Sequence, residues 1–97
     1  MITHVVLFRW KPGIPVGQVD AIAAALDTLP LAIPSITSYR HGPSVGLSSG
    51  AFDYGIVATF DDADGWRRYD TDATHEAVRA DTIRPWIAER ASTQFET

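Results

Sequence analysis

His75 is the residue whose type and position best suit acid–base chemistry in this sequence. It lies in the stretch YDTDATHEAV, residues 69 to 78, where an acidic turn leads into a helical pattern. If Asp72 caps that helix, His75 is its third residue, and the positive end of the helix dipole disfavours a protonated imidazole. A neutral imidazole is the form that a general base needs near pH 7. The alternative, which spacing alone favours, is a solvated histidine on a first helical turn.

Two further polar side chains are weaker candidates, and the residues alone favour a structural role for both. His4 stands among apolar residues of a strand-like segment, where a lone histidine is more commonly a core residue than a ligand. Tyr69 follows Trp66 by three residues, so both share a helix face and are expected in the core, but a buried Tyr69 hydroxyl needs a hydrogen-bond partner. His41 precedes a glycine at a strand end and has no companion, so we interpret it as structural.

Several classes of chemistry find no support in the sequence. The absence of cysteine removes disulfides, thiolate catalysis and cysteine zinc sites. The histidines lack metal-ligand spacing, and the acidic residues at 61, 62 and 64 lack the layout of a calcium loop. Phosphate-binding, nicotinamide-binding and serine-nucleophile motifs are also missing. We therefore expect neither a metal nor a cofactor.

The net charge and the hydropathy of the chain limit the classes of partner that we expect. Twelve acidic residues against eight basic ones give a net charge of -4, which disfavours nucleic acid and anionic membranes as partners. No apolar run approaches the roughly 18 residues of a membrane span. We expect a cytoplasmic protein.

The elements that position the candidate residues follow from hydrophobic periodicity. The pattern predicts strands over residues 2 to 10, 35 to 45, 54 to 60 and 91 to 95. It predicts helices over residues 15 to 29, around Trp66 and Tyr69 after a cap at Asp61, Asp62 or Asp64, and over 73 to 89 with a kink or restart at Pro85. This order predicts one α+β domain over residues 1–97, a ferredoxin-like antiparallel sheet with helices on one face.

The strands are apolar on both faces, which predicts a partner subunit. In the first strand His4, Val6 and Phe8 lie on one side, while Val5 and Leu7 lie on the other. Helices cover only one face in this connectivity, so the second face is expected to pack against another copy of the chain. The sequence predicts a homodimer that forms a shared barrel; the alternative is a monomer with a few exposed valines.

Four segments resemble the stress-responsive A/B-barrel family, often called Dabb. They are THVVLFRW, FDYGIVATFDD, WRRYDTDATHEAV and PWIAERASTQFE, and together they span nearly the whole chain. The family motif at the last long helix usually reads Tyr-x-x-His-Pro-x-His, and here Asp72 and Ala73 replace its first histidine and its proline. The resemblance implies small ferredoxin-like chains that pair through their sheets into an α/β barrel.

The resemblance also implies a site. One plant member, olivetolic acid cyclase, closes a polyketide chain by a cofactor-free aldol condensation, at a site that joins a strand histidine, a tyrosine and the last histidine of the motif. The matching residues are His4, Tyr69 and His75. By this comparison His75 would remove a proton next to a carbonyl, Tyr69 would bind the developing oxyanion, and His4 would orient or polarise the ligand.

The pocket walls and the function remain open at this level. The expected apolar walls of a pocket for an aromatic or polyketide-like ligand are Ile22, Ala23, Leu26, Val78 and Trp86. Three hypotheses follow: cofactor-free acid–base catalysis such as aldol cyclisation, a non-enzymatic stress-responsive oligomer, and a monooxygenase of the antibiotic-biosynthesis type. The residues support the third least, because Trp66 and His75 stand in the wrong relation to the third strand for a haem-degrading site.

Overall fold

A computed structural model describes all 97 residues and has the predicted ferredoxin-like architecture. Its strands are β1 (Ile2–Trp10), β2 (Ser38–Pro43), β3 (Tyr54–Phe60) and β4 (Ile87–Glu96). Its helices are α1 (Val16–Asp27), α2 (Leu29–Ala32), α3 (Ala63–Asp70) and α4 (Ala73–Val78), and a π-helical turn (Arg79–Ile83) and a 3₁₀ turn (Arg84–Trp86) follow α4. The sheet order is β2-β3-β1-β4, and each neighbouring pair is antiparallel.

One face of the central strands forms the core. β1 and β3 pair so that Val6 opposes Ile56 and Phe8 opposes Tyr54, and these four side chains are buried. Cross-strand partners share a face of the sheet, so both strands present one apolar surface. The helices cover it with a second buried set: Ile22 and Leu26 of α1, Leu29 of α2, Tyr69 of α3 and Ile83 of the π-helical turn.

The predicted bounds of β1 and β3 are confirmed, but the prediction for the last third of the chain was wrong at one boundary. The helical segment ends at Trp86 rather than at residue 89, and β4 begins at Ile87 rather than at residue 91. Pro85 lies in the 3₁₀ turn, where its missing N–H prevents an α-helix from continuing. β4 then pairs with the whole of β1, from Ile2 opposite Glu96 to Trp10 opposite Ile87.

The opposite face of the sheet carries no helix. Val5, Leu7 and Val57 lie on it, together with Phe95 of β4. Val57 is 37% exposed and Phe95 is 48% exposed in the isolated chain. The chain therefore presents an apolar sheet face to solvent, here called the open sheet face. No helix is long and apolar enough to cross a membrane.

Candidate active site

A cavity of about 440 Å³ opens between the β1–β4 half of the sheet and the helices that follow β3. Its apolar wall consists of Val6, Phe8, Leu26, Ile56, Ile83 and Ile87. Its polar wall consists of His4, Trp66, Tyr69, Asp70, His75, Arg79, Arg84, Arg90, Ser92 and Gln94. The structure thus brings together His4, Tyr69 and His75, although they come from a strand and two separate helices.

His75 is held in place by the start of α4. Asp72 is the N-cap, and its Oδ1 accepts hydrogen bonds from the backbone N–H of Thr74 at 2.8 Å and of His75 at 3.2 Å. The prediction that His75 is the third residue of this helix is confirmed. Its imidazole is not a surface group, because the residue is only 6% exposed.

The hydrogen bonds of His75 fix its tautomer. Nδ1 lies 2.8 Å from the backbone carbonyl oxygen of Tyr69, which can only accept, so Nδ1 carries the proton. The lone pair is therefore on Nε2. Burial and, next, the positive charge of Arg79 lower the pKa of His75, against the opposing effect of the Tyr69 carbonyl, Asp70 and Asp72. At neutral pH His75 is an uncharged base.

Tyr69 packs against that imidazole and keeps its proton. The two rings stack with centroids 3.9 Å apart, and Tyr69 is 2% exposed. Burial raises the pKa of Tyr69, so its hydroxyl is a hydrogen-bond donor at neutral pH. That hydroxyl lies 3.0 Å from the hydroxyl of Tyr39, whose own pKa is raised by burial and by Tyr69.

Tyr39 is a residue near the site that sequence reasoning missed. It lies on β2 opposite Ala58, on the face of the sheet that the helices cover. The available signal was its alternation with His41, two residues later, which places both side chains on the same face of a strand. Tyr39 gives Tyr69 the hydrogen-bond partner that a buried phenol needs.

His4 has the opposite tautomer to His75. Its Nδ1 lies 2.9 Å from the amide nitrogen of Gln94, which can only donate, so the His4 proton is on Nε2. Burial and, next, the charge of Arg90 lower the pKa of His4 to about 4. The site therefore combines a neutral donor, His4, with a neutral acceptor, His75.

The apolar walls differ from those predicted. Of the five expected residues only Leu26 lines the cavity. Ile22 is fully buried in the core, and Ala23 and Val78 pack against that core from its edge. Trp86 does not face the cavity because the last helical turn ends there, and Ile87, the first residue of β4, takes the place on the wall.

His41 lies outside the cavity and links three elements. Its Nε2 lies 2.7 Å from Oδ1 of Asp27 at the end of α1, and its Nδ1 lies 2.7 Å from the hydroxyl of Tyr54 on β3. These contacts agree with the structural role inferred for it, although the sequence had suggested no companion. No three histidine, aspartate or glutamate side chains come together as a metal-ligand cluster.

Comparison with known proteins identifies the family. The family described as Stress responsive A/B Barrel Domain (Dabb) matches residues 2–97. A dimeric ferredoxin-like protein of unknown function from Thermobifida fusca is 38% identical, with a TM-score of 0.91 over 99% of this chain and 90% of that one. No protein with a curated description matches.

Two more distant structures share the fold. A Dabb family protein from Mesorhizobium loti is 18% identical, with a TM-score of 0.83 over 99% of this chain and 95% of that one. A hydroxynitrile lyase from Passiflora edulis is 17% identical, with a TM-score of 0.84 over 97% of this chain and 90% of that one. The match over nearly all of its length shows that the chain belongs to the stress-responsive A/B-barrel (Dabb) family.

Proposed function

We propose that this protein is a cofactor-independent acid–base catalyst that removes a proton next to a carbonyl group, as in polyketide-type aldol cyclisation. One observation carries the proposal: the lone pair of His75 is on Nε2, in a buried imidazole that stays neutral and lines a cavity of ligand size. The tautomer of His75 is set by a backbone carbonyl, so the base is ready before a ligand enters.

The proposed reaction conserves atoms and electrons and needs neither an oxidant nor a metal. His75 Nε2 takes a proton from the carbon next to a ligand carbonyl, and the resulting enolate oxygen accepts hydrogen bonds from the Tyr69 hydroxyl and the His4 Nε2–H. The enolate carbon then bonds to a second carbonyl carbon of the ligand. The alkoxide formed there takes the proton back from His75, which returns to its neutral form.

The hydrogen-bonded pair of tyrosines supports this assignment. If the Tyr69 hydroxyl donates its proton to an enolate, its oxygen lone pairs are free to accept a hydrogen bond from another group. The Tyr39 hydroxyl, at 3.0 Å, supplies such a donor. A chain of hydroxyls that donate in one direction strengthens the terminal donor by polarisation. The hydroxynitrile lyase of the same fold supports the view that the fold accommodates lyase chemistry.

The test is hydrogen exchange next to a carbonyl. An aryl methyl ketone is incubated with the protein in heavy water, and the loss of its methyl protons is followed by NMR. We expect exchange faster than in buffer by about 10²–10⁴-fold, the usual contribution of a positioned base. His75→Gln should remove the acceleration, whereas His41→Gln, which alters a histidine outside the cavity, should keep it.

A ligand screen gives the binding side of the same test. Aromatic polyketide-like acids should raise the melting temperature of the wild-type protein, and the shift should be lost in His75→Ala. Equal exchange in the wild type and His75→Gln, or a shift that is independent of His75, would count against the proposal.

A second candidate function is that of a non-enzymatic oligomer, and one observation favours it. The open sheet face exposes Val57 and Phe95, and apolar faces of this kind are commonly subunit interfaces. The protein from Thermobifida fusca is described as dimeric, which supports a homodimer here. We infer that two copies pack through this face; dimerisation is compatible with either function.

A further inference from the structure

We propose that the ligand of the cavity is a keto acid with an apolar body, whose carboxylate pairs with Arg90 while its carbonyl oxygen accepts hydrogen bonds from Tyr69 and His4. The inference rests on the proposed function, since it names the substrate class of that same site. The charge of the wall, its neutral donors and the composition of the remaining wall each support it.

The charged wall of the cavity is mainly cationic, although the chain carries a net charge of -4. Arg79, Arg84 and Arg90 line it, against a single carboxylate, Asp70. Arg79 pairs with Asp70 at 3.1 Å and with Glu76 at 2.8 Å, and Arg84 pairs with Glu76 at 3.1 Å. Because Glu76 is shared by two arginines, the wall keeps an excess of positive charge.

Arg90 is the arginine of this wall without a carboxylate partner. It lies on β4 opposite Phe8, on the helix-facing side, and it is exposed at the mouth of the cavity. Its Nη1 donates to the Ser92 hydroxyl at 3.2 Å, which directs the guanidinium along β4 toward His4. The geometry of a guanidinium suits a carboxylate, which can accept two parallel hydrogen bonds from it.

Two neutral donors lie beside the apolar wall of the cavity. His4 carries its proton on Nε2, and the Tyr69 hydroxyl keeps its proton. Both residues line the cavity, and their rings lie 5.9 Å apart between centroids. A carbonyl oxygen of the ligand is the acceptor that suits these two donors.

The remaining wall suits a hydrocarbon body. Val6, Phe8, Ile56 and Ile83 form an apolar surface beside the polar donors. A ligand that satisfies the whole cavity therefore has an anionic end for Arg90, a carbonyl oxygen for the His4 and Tyr69 donors, and an apolar segment. A neutral ketone would leave the Arg90 charge without a counter-ion.

The test compares one molecule in two charge states. Benzoylpropionate is a phenyl ketone that bears a carboxylate, and its methyl ester is the neutral match. We expect the purified wild-type protein to bind the acid about 10-fold more tightly than the ester in isothermal titration, because hydrogen bonds to charged groups exceed neutral ones by about that factor. The preference should shrink as salt is added, since the pair is partly exposed.

Arg90→Gln should remove this preference and leave ester binding within about twofold. Arg68→Gln is the matched control, because Arg68 is an exposed arginine on α3 outside the cavity. Equal affinities for acid and ester in the wild type, an equal loss for both in Arg90→Gln, or no binding of either at millimolar concentration would overturn the inference.

The two proposals fail in different ways. If the acid binds through Arg90 but its exchange in heavy water does not depend on His75, the keto-acid inference stands and the catalytic proposal fails. If exchange depends on His75 while acid and ester bind equally, the catalytic proposal stands and the keto-acid inference fails.

Discussion

The two cavity histidines are uncharged for reasons that lie in their hydrogen bonds and burial. His75 donates from Nδ1 to a backbone carbonyl, and His4 accepts at Nδ1 from Gln94, so Nε2 is a hydrogen-bond acceptor in His75 and a donor in His4. Burial lowers the pKa of both imidazoles. A histidine held neutral in the folded state is protonated more readily in the unfolded chain, which links the site to the pH dependence of stability.

His4 provides a direct measure of this linkage. Its pKa falls from 6.5 in a model peptide to about 4 in the fold, so its contribution to stability is complete above pH 6.5 and is lost as the pH falls toward 4. At about 1.4 kcal/mol per pKa unit, the loss is about 3 kcal/mol. We expect the free energy of unfolding in urea to fall over this range, and to fall less in His4→Gln.

The comparison between the two proteins isolates the histidine, because the carboxylates titrate in both. Parallel curves for the wild type and His4→Gln between pH 6.5 and 4 would show that His4 is protonated equally in the folded and unfolded states. The pKa of His75 is lowered as well, so the stability of the His4→Gln variant should still fall somewhat as the pH falls.

At the scale of elements, the turn between α3 and α4 sets the position of His75, the proposed base. Asp72 replaces the first histidine of the family motif, and its carboxylate caps α4. We expect Asp72→Ala to lower the free energy of unfolding by about 1 kcal/mol, the usual effect of losing a cap. For a domain of this size that corresponds to a fall in melting temperature of about 4–8 °C.

Asp72→Asn is the matched control, since an asparagine oxygen also caps a helix while the charge is removed. Its stability should stay close to that of the wild type. The pKa of His75 should move further down in an NMR titration, because the Asp72 charge raises it. An equal loss of stability in both variants would mean that the charge, and not the cap, is what matters.

The elements that the sequence predicted correctly are those whose own residues determine them. β3 reads YGIVATF, a short run rich in β-branched and aromatic residues between turn residues, so its bounds followed from the local sequence. β4 begins with IAERA, in which alanine, glutamate and arginine are strong helix formers. Only its pairing with β1, whose residues are 77 to 94 positions away in the chain, makes this segment a strand, and local periodicity does not contain that information.

The same distinction applies to the site. His75, His4 and Tyr69 were each considered from the sequence alone, but only the resemblance to a family joined them into one site, because no local spacing links a residue of β1 to residues of α3 and α4. Tyr39 and Arg90 were missed since each acquires its role only when its strand takes a place in the sheet. Because the start of β4 was predicted too late, Trp86 was expected on the cavity wall, where the structure has Ile87.

At the scale of the whole molecule, one sheet carries two surfaces for which we propose different functions. The helix-facing side holds the cavity, and the open sheet face holds the apolar residues for which we infer a partner subunit. Val5 and Leu7 on β1 and Val57 on β3 lie near the centre of that face. The two surfaces lie on opposite sides of the sheet, so assembly and ligand binding can be disrupted independently.

Val57→Asp should separate the subunits while leaving each fold intact. Val57 is already 37% exposed in the isolated chain, so a carboxylate there meets water in the monomer but would be buried without a partner in the dimer. We expect the dissociation constant of the dimer to rise by at least about 100-fold. Light scattering at micromolar concentration should then show a change from dimer to monomer. Val45→Asp, in an exposed loop off the sheet, is the control.

This variant also distinguishes the two candidate functions when it is combined with His75→Ala. If the protein acts as a catalyst, cells that carry His75→Ala should show the same phenotype as cells that lack the gene, while the variant remains a dimer. If it acts as an oligomer, Val57→Asp should produce that phenotype while His75→Ala does not. A wild-type protein that is monomeric at micromolar concentration would contradict the inferred interface, because the open sheet face would then have no second copy to cover it.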